Sequence, residues 1–318
     1  MPNNAGSAES TSPFEESDTI SQIFDKLLKR ILSLSKGAVI DLVNGMFDED
    51  FPPDSETTFN STENVNSRLR RTVADIIITL RSKDKCRRFH MEAQISNDNT
   101  IVLRVFEYGF HDALRHQEVD GNKITLPFPE PLIIFLEHTR NTPDEVILEL
   151  DFGKHGKFEY PVATMKFLDY SVAELCDRRM VILLPLYLLR LRREIESAKA
   201  KKTVREKAKD LQSLISDILK AIADNEKIGN ITNKDTVELL HMMSHLYEYL
   251  YGSIKEFDEE EVSAVLAGAL ELPCDARFEA EQKEVKKQIA KNLKLKGVLS
   301  FDEIAETTGL SFEEVEKA

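Results

Sequence analysis

Residues 87–95 read RRFHMEAQI, and residues 72–80 ahead of them read TVADIIITL. Apolar and polar residues alternate in RRFHMEAQI, so a strand there carries Phe89, Met91, Ala93 and Ile95 on one face and Arg88, His90, Glu92 and Gln94 on the other. TVADIIITL is apolar and β-branched enough for a buried central strand, yet Asp75 stands at its start. A carboxylate entering a core needs a partner, and a divalent metal ion is a natural one. The polar SKDKC between the two runs predicts a hairpin, which makes Asp75, Glu92 and Gln94 candidates for one shared site.

Outward from this hairpin the chain alternates helix and strand signals. Apolar positions recur at helical spacing over residues 19–34, and SKGAVIDLVNGMF continues as a second short helix begun at Ser35 or Lys36. The Pro-, Asp-, Ser- and Asn-rich stretch from Asp48 to Ser67 predicts irregular structure with a short strand near Glu56–Phe59. After the hairpin, residues 100–117 read as an amphipathic helix and PLIIFLEH, 131–138, as a third buried strand. A helix between strands implies a crossover and a mixed sheet. EVILELDF and KFEYPVATM flank the turn GKHG as a second hairpin, and everything beyond Ser171 reads as helix: 171–200, 203–226, 232–252, 258–270, 276–296 and two short helices hinged at Gly309. The expected division is a disordered tail over 1–19, a mixed α/β domain over 20–170 and a helical region over 171–318.

Composition sets the limits. With 318 residues, 42% hydrophobic and 31% charged, the chain is an ordinary globular protein with enough length for a large core. Its longest apolar run, VILLPLYLL at 181–189, is too short for a membrane span and contains a proline, so no membrane association is expected. The N-terminal residues carry neither a basic leader nor an apolar stretch, which predicts a cytoplasmic protein. Cys86, Cys176 and Cys274 are far apart and outside any CxxC spacing, so they are expected as reduced, buried thiols. A net charge of −14 counts against a nucleic-acid partner, but residues 190–209 hold nine basic side chains against three acidic ones.

The set of Asp75, Glu92 and Gln94 resembles the active site of the PD-(D/E)XK nuclease superfamily. More locally, SKGAVIDLVNGMF, ADIIITL, HMEAQ and RVFEYGF are similar to the recombination-promoting nuclease and putative transposase family within it, over roughly residues 20–200, as is the terminal IAETTGLSFEEV. The resemblance implies a restriction-endonuclease-like mixed-sheet core and a Mg²⁺- or Mn²⁺-dependent DNA endonuclease. Asp75 and Glu92 would be the metal ligands, Gln94 would orient water or phosphate, and Asp41 on the first helix would be a further acidic ligand. Two carboxylates on adjacent strands suit this role, because their oxygens hold a hard cation and leave positions for phosphate and water. Gln94 stands where the superfamily usually has lysine, and a neutral amide offers no positive charge. Arg68, Arg70, Arg71 and Arg104 are the expected DNA contacts, DNA the expected partner, and a homodimer would allow both strands to be cut.

Blander readings stand beside these. The three polar residues also fit an exposed sheet face, Asp41 a solvated helix, and the 190–209 run a solvated surface with Glu–Lys pairs. His241 and His245 have the i, i+4 spacing of a helical metal pair but lack the glutamate of the metalloprotease pattern. The terminal segment suggests a helix-turn-helix fragment whose second helix carries Glu313, Glu314 and Glu316, which phosphates repel. The competing function is a catalytically inactive nuclease-fold module that binds DNA or a protein.

Overall fold

The computed structural model describes residues 23–61, 74–95, 100–198, 201–255 and 257, the isolated positions 266, 294, 305 and 315, and the backbone alone at 60, 61, 74, 75 and 201. The described residues up to 257 gather into one compact unit and those from 266 onward belong to another, so the expected boundary at 170 falls inside the first. The expected helices after residue 258 and the terminal helix pair lie outside the described residues.

A six-stranded mixed sheet organises the first unit, in the order β1–β2–β3–β6–β8–β7. Two helices precede it: α1 over 23–31 and α2 over Lys36–Phe47. Strand β1 (Glu56–Ser61) pairs antiparallel with β2 (Ala74–Arg81), and β2 with β3 (Cys86–Gln94), closing the hairpin that the polar SKDKC predicts. The crossover is α3 (Ile101–Arg115), which returns the chain to β6 (Glu130–Phe135) parallel to β3. Strands β7 (Glu145–Asp151) and β8 (Lys157–Lys166) form the second hairpin, and β8 runs parallel to β6. A small hairpin, β4 (Glu118–Asp120) with β5 (Lys123–Thr125), stands apart and had no clear signal in so polar a stretch.

The strand pleat sorts the core into two layers. Ile76, Met91, Ala93 and Ile134 meet Leu28, Ile31, Leu42 and Met46 on the side of α1 and α2. On the other side, Ile133, Phe135 and Val162 pack against Ile101, Val102 and Val105 of α3. Both faces of β3 are therefore covered.

The helical half gathers on the segment 181–191, which packs on α2 and brings Leu183 to the α2 side of the sheet. The span expected as one helix over 171–200 is α4 (Val172–Asp177), a 3-10 segment (Val181–Leu191) and α5 (Arg192–Ser197). Pro185 has no N–H to donate, which breaks α-helical pairing in this run. Residues 181–189 are buried throughout. Helices α6 (Lys201–Lys227) and α7 (Asn233–Tyr251) pack on that strap, and the Tyr251 hydroxyl donates to the Leu188 carbonyl at 2.6 Å. Asp235, in the capping box of α7, also accepts from the Ser35 backbone N–H at 2.7 Å, joining the N-termini of α2 and α7.

One close approach ties α2 to the chain before the strap. The Arg178 guanidinium donates to the Gly45 carbonyl at 2.9 Å, and a Cβ at Gly45 would fall 2.7 Å from Met180 Cγ and nearer still to the Arg178 carbonyl oxygen. Since backbone is the obstacle, Gly45→Ala is expected to cost about 1–3 kcal/mol by overpacking, read as a lower midpoint in denaturant; an unchanged midpoint would show that the two segments part without cost.

Candidate active site

The polar face of β3 is an interior surface. His90 and Glu92 are fully buried and Gln94 is 7% exposed, which rules out the exposed-sheet reading. Helix α3 lies over this face. Arg104 brings Nη2 to 3.3 Å from Glu92 Oε1, and Tyr108 sets its ring edge-on to His90 with centroids 6.3 Å apart. Their i, i+4 spacing places both side chains over β3. Arg104, expected as a DNA contact, is thus buried against a carboxylate. The pair is withdrawn from water together, so each charge offsets the desolvation of the other.

Asp75 is the direct antiparallel partner of Glu92. Positions opposed in this way share a sheet face, with Cβ atoms roughly 4.5–5.5 Å apart. The Asp75 side chain lies outside the described residues, as do Arg68, Arg70 and Arg71. The end of β3 is held firmly: the Leu136 N–H donates to the Gln94 carbonyl at 2.7 Å and the Glu137 N–H to that of Ile95 at 3.2 Å.

Asp41 stands apart from this group. Its neighbour Leu42 packs on the opposite side of the sheet, and Asp41 itself lines an open hollow with Asn44, Asp48, Glu49, Asp177 and Arg178. Its carboxylate is 3.5 Å from Arg179 Nη1. Burial raises its pKa despite the lowering effect of Arg179, so its ionisation costs stability as pH rises past the ordinary carboxylate range. A helical aspartate before an apolar run is equally placed to face either side, and only the packing of α2 decides.

Part of the basic run is committed within the chain. Arg192 holds Glu137 through Nε at 2.8 Å and Nη2 at 3.2 Å, and Arg193 Nε reaches the same carboxylate at 2.7 Å. Lys207 pairs with Glu194 and Asp210. Glu137, 2% exposed at the end of β6, is a buried acid that sequence reading passed over. Its signal was a carboxylate ending the apolar run PLIIFL.

Among the described residues no three His, Cys, Asp or Glu side chains gather around a common metal position. His241 is half-buried and His245 exposed on α7. Cys86 is exposed rather than buried, at the turn end of β3, and burial pushes the half-buried Cys176 thiol up. No helix among the described residues is long and apolar enough to cross a membrane. Comparison with family models, with curated proteins and with solved structures finds no match to this chain.

Proposed function

We propose that this protein is a metal-dependent DNA endonuclease of the PD-(D/E)XK type, with Asp75 and Glu92 as metal ligands. The observation that carries the reading is the register: Asp75 is paired directly with Glu92 on β2 and β3, and Glu92 is enclosed with Gln94 two residues on. The mixed sheet with α3 as crossover is of the kind the resemblance implies. The donor set fits magnesium or manganese, since it offers two carboxylates, both hard oxygen ligands. Asp41 is left out of it.

When bound, the ion supplies Lewis-acid polarisation of the phosphate and acidifies an attacking water. The chain's own residues do the rest. Asp75 and Glu92 fix the position of the ion, and the rigid end of β3 fixes Gln94. Gln94, a carboxamide that both accepts and donates, would orient the water or a phosphate oxygen. DNA as partner, and two copies of the chain acting on the two strands, belong to the same proposal.

The second reading, an inactive nuclease-fold module that binds DNA or protein, has support of its own. Arg104 already lies on Glu92, Arg192, Arg193 and Lys207 of the basic run are spent on internal pairs, and the net charge is −14. Nicking of supercoiled plasmid by the wild type, Asp75→Ala and Glu92→Gln, with and without Mg²⁺ or Mn²⁺, separates the two. Metal-dependent nicking is expected in the wild type alone, with a loss of about a hundredfold or more in each variant. Equal residual nicking in all three would sink the nuclease reading.

A further inference from the structure

We propose that Arg104 is a positioning residue that serves as a resident cation, holding the Glu92 carboxylate in place before metal arrives and competing with the metal for it. This rests on Glu92 being a metal ligand. The geometry is that of a buried pair: Nη2 is 3.3 Å from Oε1, with side-chain exposures of 7% for Arg104 and none for Glu92. A carboxylate so enclosed needs a cation close by, and Asp75, directly across the ladder, sets a second acidic position on the same face.

The backbone under Arg104 is also fixed. Ile101, Val102 and Val105, its neighbours on α3, are buried against the sheet. The guanidinium therefore meets Glu92 from an anchored helix rather than from a mobile loop.

Charge accounting gives the consequence. Asp75 and Glu92 bring −2 and Arg104 +1; a divalent ion entering with Arg104 still in place makes the site +1. That excess opposes the metal and favours an anion, and a phosphodiester carries one negative charge. Arg104 thus lowers affinity for free metal, and in exchange the site is shaped before metal binds. It supplies at the site the positive charge that Gln94 lacks.

The test is titration of the full chain with Mn²⁺ and Mg²⁺, followed by calorimetry and by thermal midpoint, for the wild type, Arg104→Met, Arg104→Gln, Arg104→Lys and Asp75→Asn. Arg104→Met and Arg104→Gln should bind Mn²⁺ roughly tenfold more tightly, a typical coupling between two sites. Their metal-free midpoints should fall and their metal-induced rise should grow. Arg104→Lys, which keeps the charge, should stay near wild-type affinity. If Arg104→Met does not fold, Arg104→Gln decides, since its amide still donates to Glu92. Unchanged or weaker Mn²⁺ binding in the neutral variants, with binding lost in Asp75→Asn, overturns the role of Arg104 and leaves the metal site standing. No metal binding by the wild type, or binding indifferent to Asp75→Asn, overturns the metal site and the role of Arg104 together.

Discussion

Glu137→Ala is expected to lower the thermal midpoint by about 10 °C, because it removes the one carboxylate on which Arg192 and Arg193 converge. Breaking a buried ion pair by removing one partner costs about 3–5 kcal/mol, most of it the burden of the charge left behind. Here that charge is mainly Arg192, whose side chain is 13% exposed and keeps the exposed Glu196 at 2.9 Å, which puts the loss at the lower end of that range; Arg193, at 47%, turns to water at little cost. At about 2–4 °C per kcal/mol for a unit of this size, the expected shift follows. The cluster joins α5 to the end of β6, beside the backbone that steadies Gln94 and Ile95. Glu137→Ala combined with Arg192→Met should regain most of the loss, since apolar groups of similar volume replace a buried pair at small cost. Thermal unfolding measures both, and a shift under about 2 °C for Glu137→Ala would mean the arginines find water or other acids without penalty.

Glu92→Ala should also damage the fold. It takes from Arg104 a carboxylate 3.3 Å away while the guanidinium stays enclosed beneath α3. A loss of about 3–5 kcal/mol is expected in denaturant unfolding. The double replacement Glu92→Met with Arg104→Met should restore most of that stability and none of the nicking. This pairing separates the two roles of one residue: a fold that recovers without activity assigns Glu92 to the site, whereas activity returning with the fold would reduce Glu92 to a structural acid. Asp75→Ala supplies the contrast, with activity lost at small cost in stability.

The local elements were largely legible in the sequence. RRFHMEAQI alternates as a half-polar strand must, SKDKC marks a tight connection, and Ser35 announces α2; these signals depend only on neighbouring residues and on periods of 2 and 3.6. Even the Asp75–Glu92 juxtaposition follows from a hairpin closed between Arg81 and Cys86, because turn length sets register. Burial was not legible. Alternation distinguishes the two faces of β3 but does not say that α3 covers the polar one, and that covering turns Glu92 from a surface acid into a buried partner of Arg104.

The longer contacts were equally out of reach. Asp41 goes to Arg179 rather than to Glu92 because α2 packs on the other side of the sheet, and Glu137 is met by arginines more than fifty residues along the chain. The apolar run at 181–189 signals burial, yet its 3-10 form and its place beneath α6 and α7 follow from Pro185 and from the helices that close over it. By itself the sequence determined the strands of the main sheet, the helices beside them and which polar residues share a strand face, since chain geometry over a few residues suffices. Only the tertiary structure decided which charges are enclosed and with whom they pair, because the cost of burying a charge is set by neighbours brought from far along the chain.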